Sequence, residues 1–207
     1  KEEGAAGRVH HVGNTMIDTL VAFENEIQAS PVLEKYGLTP QGFVLMTMHR
    51  PGNVDTKENL LKLLEILDHA TKSQKIVFPI HPRTKKSLEK HELLNGVESN
   101  SQIILTEPLD YFAFQKLTAT CKFVLTDSGG IQEETTFRQV PCLTLRPNTE
   151  RPSTIDIGTN TLVPFETEIV KSYIDQINNG TYKTGEVPPL WDGKATDRIV
   201  KILSEIL

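Results

Sequence analysis

Short apolar runs alternate with longer amphipathic stretches along the chain. The apolar runs are Phe43–Met48, Lys75–Ile80, Gln102–Leu105, Lys122–Thr126, Pro141–Leu145 and Thr161–Val163. Their near-continuous apolar character predicts parallel strands covered on both faces. The stretches between them predict helices over Asn14–Gln28, Arg83–Leu94, Asp110–Thr120, Gly130–Arg138, Glu168–Asn178 and Ala195–Ile206. One more helix follows Asp55. Glu58 stands three residues on, a variant of the capping box, so Asp55 is expected to be its cap. Leu60, Leu63, Leu64 and Leu67 then form the apolar stripe, with Lys57, Lys62, Glu65 and Asp68 facing water.

Strand–helix alternation with right-handed crossovers makes the fold class α/β, a doubly wound, Rossmann-like parallel sheet. The 207 residues suit one such domain spanning 1–207. The Tyr182–Asp192 stretch carries Pro188 and Pro189 and reads as a connector. The final helix, within 195–207, is therefore expected to pack away from the sheet.

Composition narrows the function classes. The formal net charge is -5 and no Lys/Arg-dense run occurs, so a basic nucleic-acid-binding surface is not expected. An anionic ligand must then be held locally, by helix ends and a few placed cations. Cys121 and Cys142 lie beside apolar runs and are expected to be buried free thiols. No apolar stretch is long enough to span a bilayer. The start, Lys1-Glu2-Glu3-Gly4, resembles neither a signal peptide nor a natural initiator, so the expectation is a cytoplasmic protein cut from something longer.

Polar residues gather where the strands end. His49-Arg50 follows the first strand and His81-Pro82-Arg83 the second. Asp127-Ser128-Gly129-Gly130 follows the fourth, and Arg146 the fifth, with Glu150-Arg151 shortly after. Open α/β sheets bind ligands at that edge. The Asp127–Glu134 segment is the most informative. Two glycines at a strand-to-helix turn let a ligand approach the backbone, and the following helix start suits a diphosphate. The same residues also suit a ligand-free helix cap. Glu133 and Glu134 point about 100° apart on a helix, so one of them can face sugar hydroxyls. His49 is a proton-transfer candidate, or else a histidine that orders its turn. His81 serves substrate binding or shapes its loop, because it precedes a proline. His10, His11, His69 and His91 read as surface residues. Metal-site spacing is absent, so neither a metal nor any other cofactor is expected.

Several motifs, taken together, resemble a known family. TMHRPGNVD (Thr47–Asp55), PIHPRTKKSLE (Pro79–Glu89), EPLDYFAF (Glu107–Phe114), DSGGIQEE (Asp127–Glu134) and RPNTERP (Arg146–Pro152) occur in this order. GNTMID (Gly13–Asp18) and DGKATDRIV (Asp192–Val200) flank them. The set is similar to the C-terminal domain of bacterial and archaeal non-hydrolysing UDP-N-acetylglucosamine 2-epimerases. DSGGIQEE followed by TERP is the most specific part. The resemblance implies one half of a two-domain GT-B architecture. In that half His49 would be the catalytic-site histidine, and Ser128, Gly129 and Gly130 the diphosphate turn. Glu134 would bind the ribose hydroxyls, Arg151 would lie at the substrate cleft, and Pro108, Leu109 and Phe112 would belong to the loop that receives uracil. Arg50, His81, Glu133 and Arg146 complete the candidate UDP-binding set.

The implied reaction inverts sugar C2 by elimination and re-addition of UDP, without nicotinamide; the absence of G-x-G-x-x-G agrees. The implied partners are a UDP-sugar substrate, an N-terminal domain of the same polypeptide against which the 195–207 helix packs, and a second copy in a homodimer. Neither nucleic acid nor membrane is expected. The chain departs from the family at Gly52, where H-R-x-E-N is common and the glutamate lies near a second, regulatory substrate site in some members. A GT-B glycosyltransferase, a hydrolysing 2-epimerase and a non-catalytic nucleotide-sugar sensor remain as alternatives.

Overall fold

The computed structural model describes residues 9–206; the Lys1–Gly4 start lies outside them. The strands are β1 (Phe43–Thr47), β2 (Lys75–Pro79), β3 (Ile103–Thr106), β4 (Phe123–Thr126), β5 (Cys142–Thr144) and β6 (Asn160–Leu162). They form one sheet in the order β3-β2-β1-β4-β5-β6, with every neighbouring pair parallel. All six expected strands form, each with its ends shifted by a residue or two at most.

The helices are α1 (Thr15–Ala22), α2 (Glu24–Ala29), α3 (Val32–Lys35), α4 (Pro51–Val54), α5 (Lys57–Thr71) and α6 (Pro82–Lys90). They continue with α7 (Leu94–Glu98), α8 (Tyr111–Thr120), α9 (Ile131–Phe137), α10 (Ser153–Asp156), α11 (Thr167–Asn178) and α12 (Ala195–Ile206). No described helix is long and apolar enough to cross a membrane.

The strand side chains explain the two covered faces. Val44, Met46, Phe78, Phe123, Leu125 and Leu143 pack with α5, α6 and α11 on one side. Phe43, Leu45, Val77, Val124 and Cys142 pack with α3, α8 and α9 on the other. A period of two on a sheet buried on both faces yields the continuous apolar runs. In α5, Leu60, Leu63, Ile66, Leu67 and Ala70 are buried. Each of its Leu and Ile side chains contributes roughly 1.5–3 kcal/mol relative to exposure. Cys121 and Cys142 are free and buried. Burial raises both thiols, that of Cys142 to about 11.

Several expectations are corrected. Asp55 does not cap α5; Thr56 does, its hydroxyl accepting from the Asn59 N–H at 3.2 Å. Asp55 instead forms a two-point pair with Arg83. Leu64 is only partly buried, because Ile66 and Ala70 share the stripe. The Asn14–Gln28 helix is split at Phe23, whose φ/ψ of -106/17 lies outside the helical region. The Arg83–Leu94 helix ends at Lys90, and Glu92 turns the chain with φ 59. His69 is half-buried and bonded to Asp175 at 2.8 Å, and His91 is half-buried at the end of α6. The sequence pattern missed α3, α4, α7 and α10, all of five residues or fewer, too short to display a helical period.

The final helix packs against α1. Its N-terminus is held by Asp18, whose carboxylate accepts from the backbone N–H groups of Ala195 (3.0 Å) and Thr196 (2.6 Å). Gly13 makes this junction possible: at φ +100, a Cβ there would lie 2.2 Å from the Leu190 carbonyl oxygen.

Candidate active site

Ligands of open parallel sheets lie beyond the carboxyl ends of the strands, where the strand order reverses. That point here is between β1 and β4. β1 leads into His49-Arg50 and β4 into Asp127–Gly130, so both loops emerge side by side.

Asp127 ties them together. It is fully buried. Its carboxylate accepts from the backbone N–H of His49 at 3.0 and 3.1 Å, from that of Arg50 at 2.8 Å, and from Asn53 Nδ2 at 3.2 Å. Its carbonyl oxygen accepts from Arg50 Nε at 2.8 Å. These donors offset the cost of burying the charge. Asp127 Oδ1 also lies 2.9 Å from His49 Nδ1. A nitrogen lone pair that close to a carboxylate oxygen is repelled, which favours the tautomer with the ring proton on Nδ1. Nε2 is then the free base of the neutral imidazole.

His81 has the opposite arrangement. Its Nδ1 accepts from the Arg83 N–H at 3.1 Å and so caps α6. Its own proton therefore sits on Nε2. The His49 and His81 rings are 5.3 Å apart between centroids. Asp55 and Arg83, joined by two 2.8 Å hydrogen bonds, brace the loops that carry these rings. The Arg83 bonds hold the Asp55 carboxyl below the usual carboxylate range.

Ser128, Gly129 and Gly130 form the turn into α9. Two guanidinium groups approach Gly129: a Cβ there would lie 3.1 Å from Arg151 Nη1 and 3.5 Å from Arg146 Nη1. Arg146 is buried and is held by Glu150 at 3.0 and 3.3 Å. Those bonds lower the Glu150 carboxyl. Arg151 is held by Glu133, Nε to Oε2, at 2.6 Å. The other Glu133 oxygen accepts from Asn14 Nδ2 at 2.9 Å. Two positive groups over a glycine turn, with the following helix start behind it, form a cradle suited in charge to an anion.

Glu134 lies apart from this cradle, toward α8. Burial pushes its carboxyl above the usual range; the neighbouring Gln115 and Arg138 oppose the shift. The Tyr111 phenol is raised by burial and by the Glu134 charge, which places Glu134 near the start of α8. Phe112 follows there, 37% exposed, with its ring 5.7 Å from Phe23 and 5.8 Å from Tyr111. Leu109 packs against the core cluster on that face, and Pro108 is exposed.

The candidate residues thus fall into two groups. His49, Arg50, His81, Ser128, Gly129, Gly130, Glu133, Arg146 and Arg151 gather at the ends of β1, β2, β4 and β5. Glu134, Pro108, Leu109 and Phe112 form a neighbouring wall around the start of α8. Sequence reasoning did not assign Asn14, Asn53, Gln132 or Thr149, and it gave Asp127 no part in holding the His49 loop. Asn and Gln are common in loops, and their amides signal nothing until their partners are in place. Among the described residues no group of three or more His, Cys, Asp or Glu could hold a metal ion.

The family model described as UDP-N-acetylglucosamine 2-epimerase matches residues 1–204. A curated UDP-N-acetylglucosamine 2-epimerase of Methanocaldococcus jannaschii is 38% identical, with 95% of this chain and 55% of that protein covered. The crystal structure of a Methanocaldococcus jannaschii UDP-GlcNAc 2-epimerase, in complex with UDP-GlcNAc and UDP, superposes with a TM-score of 0.85 at 35% identity. That match covers 99% of this chain and 57% of the other. A UDP-2,3-diacetamido-2,3-dideoxy-D-glucuronate 2-epimerase of Pseudomonas aeruginosa is 31% identical, with 99% of this chain and 55% of that protein covered. The chain therefore spans about half the length of the curated relatives it matches. The doubly wound sheet, the ordered loops at its switch point and the match over residues 1–204 make the chain a member of the UDP-N-acetylglucosamine 2-epimerase family.

Proposed function

We propose that the chain is the UDP-binding half of a non-hydrolysing 2-epimerase that interconverts UDP-N-acetylglucosamine and UDP-N-acetylmannosamine. The observation that carries this reading is the placement of Arg146 and Arg151 over Gly129, in the turn whose Asp127 holds the His49 loop at the switch point of the sheet. The diphosphate sits on the Ser128–Gly130 turn under the two arginines. The ribose hydroxyls meet Glu134, and uracil meets the Pro108–Phe112 loop. Glu133 is assigned to Arg151 rather than to the sugar, because its Oε2 is bonded to Arg151 Nε at 2.6 Å while Asn14 holds its Oε1.

In this reading a base takes the C2 proton, and the C–H electron pair becomes the C1–C2 double bond. The C1–O pair leaves with UDP, whose growing charge the arginines and backbone N–H groups stabilise. Reprotonation of C2 on the opposite face, with return of the UDP oxygen to C1, gives the epimer. His49, with Nε2 unprotonated when neutral, is suited to a proton-transfer step.

The facing wall of the cleft comes from the rest of the polypeptide. The apolar stripe of α12 supports its packing against that wall: Val200 is 59% exposed, Leu203 50% and Ile206 68%. The full-length enzyme is taken to be a homodimer, on family resemblance alone. The test is proton NMR of the full-length enzyme with UDP-N-acetylglucosamine in deuterated water and no acceptor. The expected result is a second anomeric signal, from UDP-N-acetylmannosamine, with deuterium at C2. Free UDP rising in step with free sugar would make the enzyme hydrolysing. Turnover only with an added acceptor would make it a glycosyltransferase.

A further inference from the structure

Gln132 lies in the first turn of α9 and is fully buried. Its amide is used on both sides. Nε2 donates to the Ser128 carbonyl at 3.1 Å. Oε1 accepts from Thr149 Oγ1 at 2.7 Å and from Asn160 Nδ2 at 3.1 Å. Asn160, also fully buried, donates to Thr154 Oγ1 at 3.1 Å and accepts from Thr144 Oγ1 at 2.6 Å.

Two of these threonines, Thr149 and Thr154, hold Arg151. The Arg151 N–H donates to Thr149 Oγ1 at 3.1 Å, and Thr154 Oγ1 donates to the Arg151 carbonyl at 2.8 Å. The Arg151 backbone is thus gripped at both its polar groups by hydroxyls that end on the Gln132 and Asn160 amides. The segment between β5 and α10 has no strand or helix of its own. A loop of this kind takes its position from side-chain contacts, and these run to the residue whose other end fixes the diphosphate turn. Only an amide fits. A carboxylate would face the Ser128 carbonyl without a donor, and an apolar side chain would leave the Thr149 hydroxyl and Asn160 amide without an acceptor.

We infer that Gln132, acting with Thr149 and Asn160, is a positioning residue that sets where the Arg151 guanidinium stands over the Ser128–Gly130 turn, and through it the affinity for the diphosphate part of the ligand. This rests on the UDP-binding reading above. It adds a prediction that a merely structural role does not make: the loss on mutation falls on the diphosphate and spares the nucleoside.

The test is calorimetric titration of UDP, and of uridine in competition, against the parent protein, Gln132→Met and Thr149→Val. Both variants are expected to bind UDP about tenfold more weakly, the equivalent of one misplaced charge-assisted hydrogen bond, with uridine affinity within about twofold of the parent. The double variant should bind UDP no more weakly than Gln132→Met alone, because both changes cut one connection. Equal losses for UDP and uridine, unchanged UDP affinity, or additive losses overturn the assignment. If Gln132→Met fails to fold, Thr149→Val decides, since it leaves the Gln132–Asn160 pair in place. A parent that binds neither compound overturns the UDP reading and this assignment with it. A parent that binds both, with the two ligands losing equally on mutation, overturns this assignment alone.

Discussion

Glu133 and Arg151, both candidates for ligand contact, are bonded to each other: Arg151 Nε donates to Glu133 Oε2 at 2.6 Å, while Asn14 holds the other oxygen. Two adjacent glutamates in α9 are thereby given different work. Glu133 secures the Arg151 cation, and Glu134, about 100° around the helix, is the one the proposed reading assigns to the ribose. Removing Glu133 should therefore act only through Arg151. Glu133→Ala is expected to weaken UDP several-fold, and Glu133→Ala/Arg151→Ala to bind UDP no more weakly than Arg151→Ala. A double-mutant cycle by calorimetry checks this; independent, additive losses would return Glu133 to the ligand.

Gly129 is under steric pressure from its arginines. A Cβ 3.1 Å from Arg151 Nη1 forces that flexible side chain to give by a few tenths of an ångström. Gly129→Ala should leave the melting temperature nearly unchanged while lowering UDP affinity by about tenfold or more, since backbone approach is also blocked. Unaltered UDP binding would move the phosphate site elsewhere.

Glu134 carries a stability cost. Burial raises its folded pKa, so the protonated form is favoured on folding. Its favourable contribution is fully present below the unfolded pKa and is lost as pH rises through the folded value. Glu134→Gln, neutral throughout, should raise the melting temperature at about pH 8, with the gain vanishing near about pH 4. The same change should weaken UDP, by roughly 1.5–3 kcal/mol for a lost charge-assisted hydrogen bond to the ribose. A variant that is no more stable than the parent at the higher pH would place the carboxylate in a better-solvated setting.

Asp127→Ala removes the acceptor of several partly buried donors at once. We expect a loss of about 3 kcal/mol or more in chemical denaturation, because the His49 and Arg50 amides lose their partner. By contrast, His49→Ala should leave stability nearly intact. In the full-length enzyme it should cut turnover by about 10²–10⁴ and change UDP affinity far less. Normal turnover together with normal C2 proton exchange would reduce His49 to a loop residue.

The 207-residue chain by itself should bind UDP and show no epimerisation. One wall of a cleft suffices for nucleotide contacts but neither excludes water nor positions a base, so effective molarity is lost. The NMR assay described above follows it. Steady conversion by this chain would place the acid–base groups among His49, His81 and Glu133.

The strands, the core and the edge of the sheet that carries the site were legible in the sequence, because both determinants are local. A strand buried on both faces is apolar at most positions, and a glycine pair at a strand end can be read directly. Helix ends were less legible. Asp55 and Thr56 are both competent caps, and what separates them is Arg83, distant in sequence, which claims the Asp55 carboxylate. The site's inner support was not legible. Asn14 meets Glu133 across 119 positions, and His49 meets Asp127 across 78. An amide or carboxylate that acts through such a partner has no periodicity and no fixed spacing. The sequence by itself determined the sheet, its order of polar loops and the residues available for chemistry. Only the tertiary structure decided which carboxylate holds the histidine, which holds the arginine and which is bonded to neither. Those choices depend on charges and hydrogen bonds that exist only once distant segments are packed together.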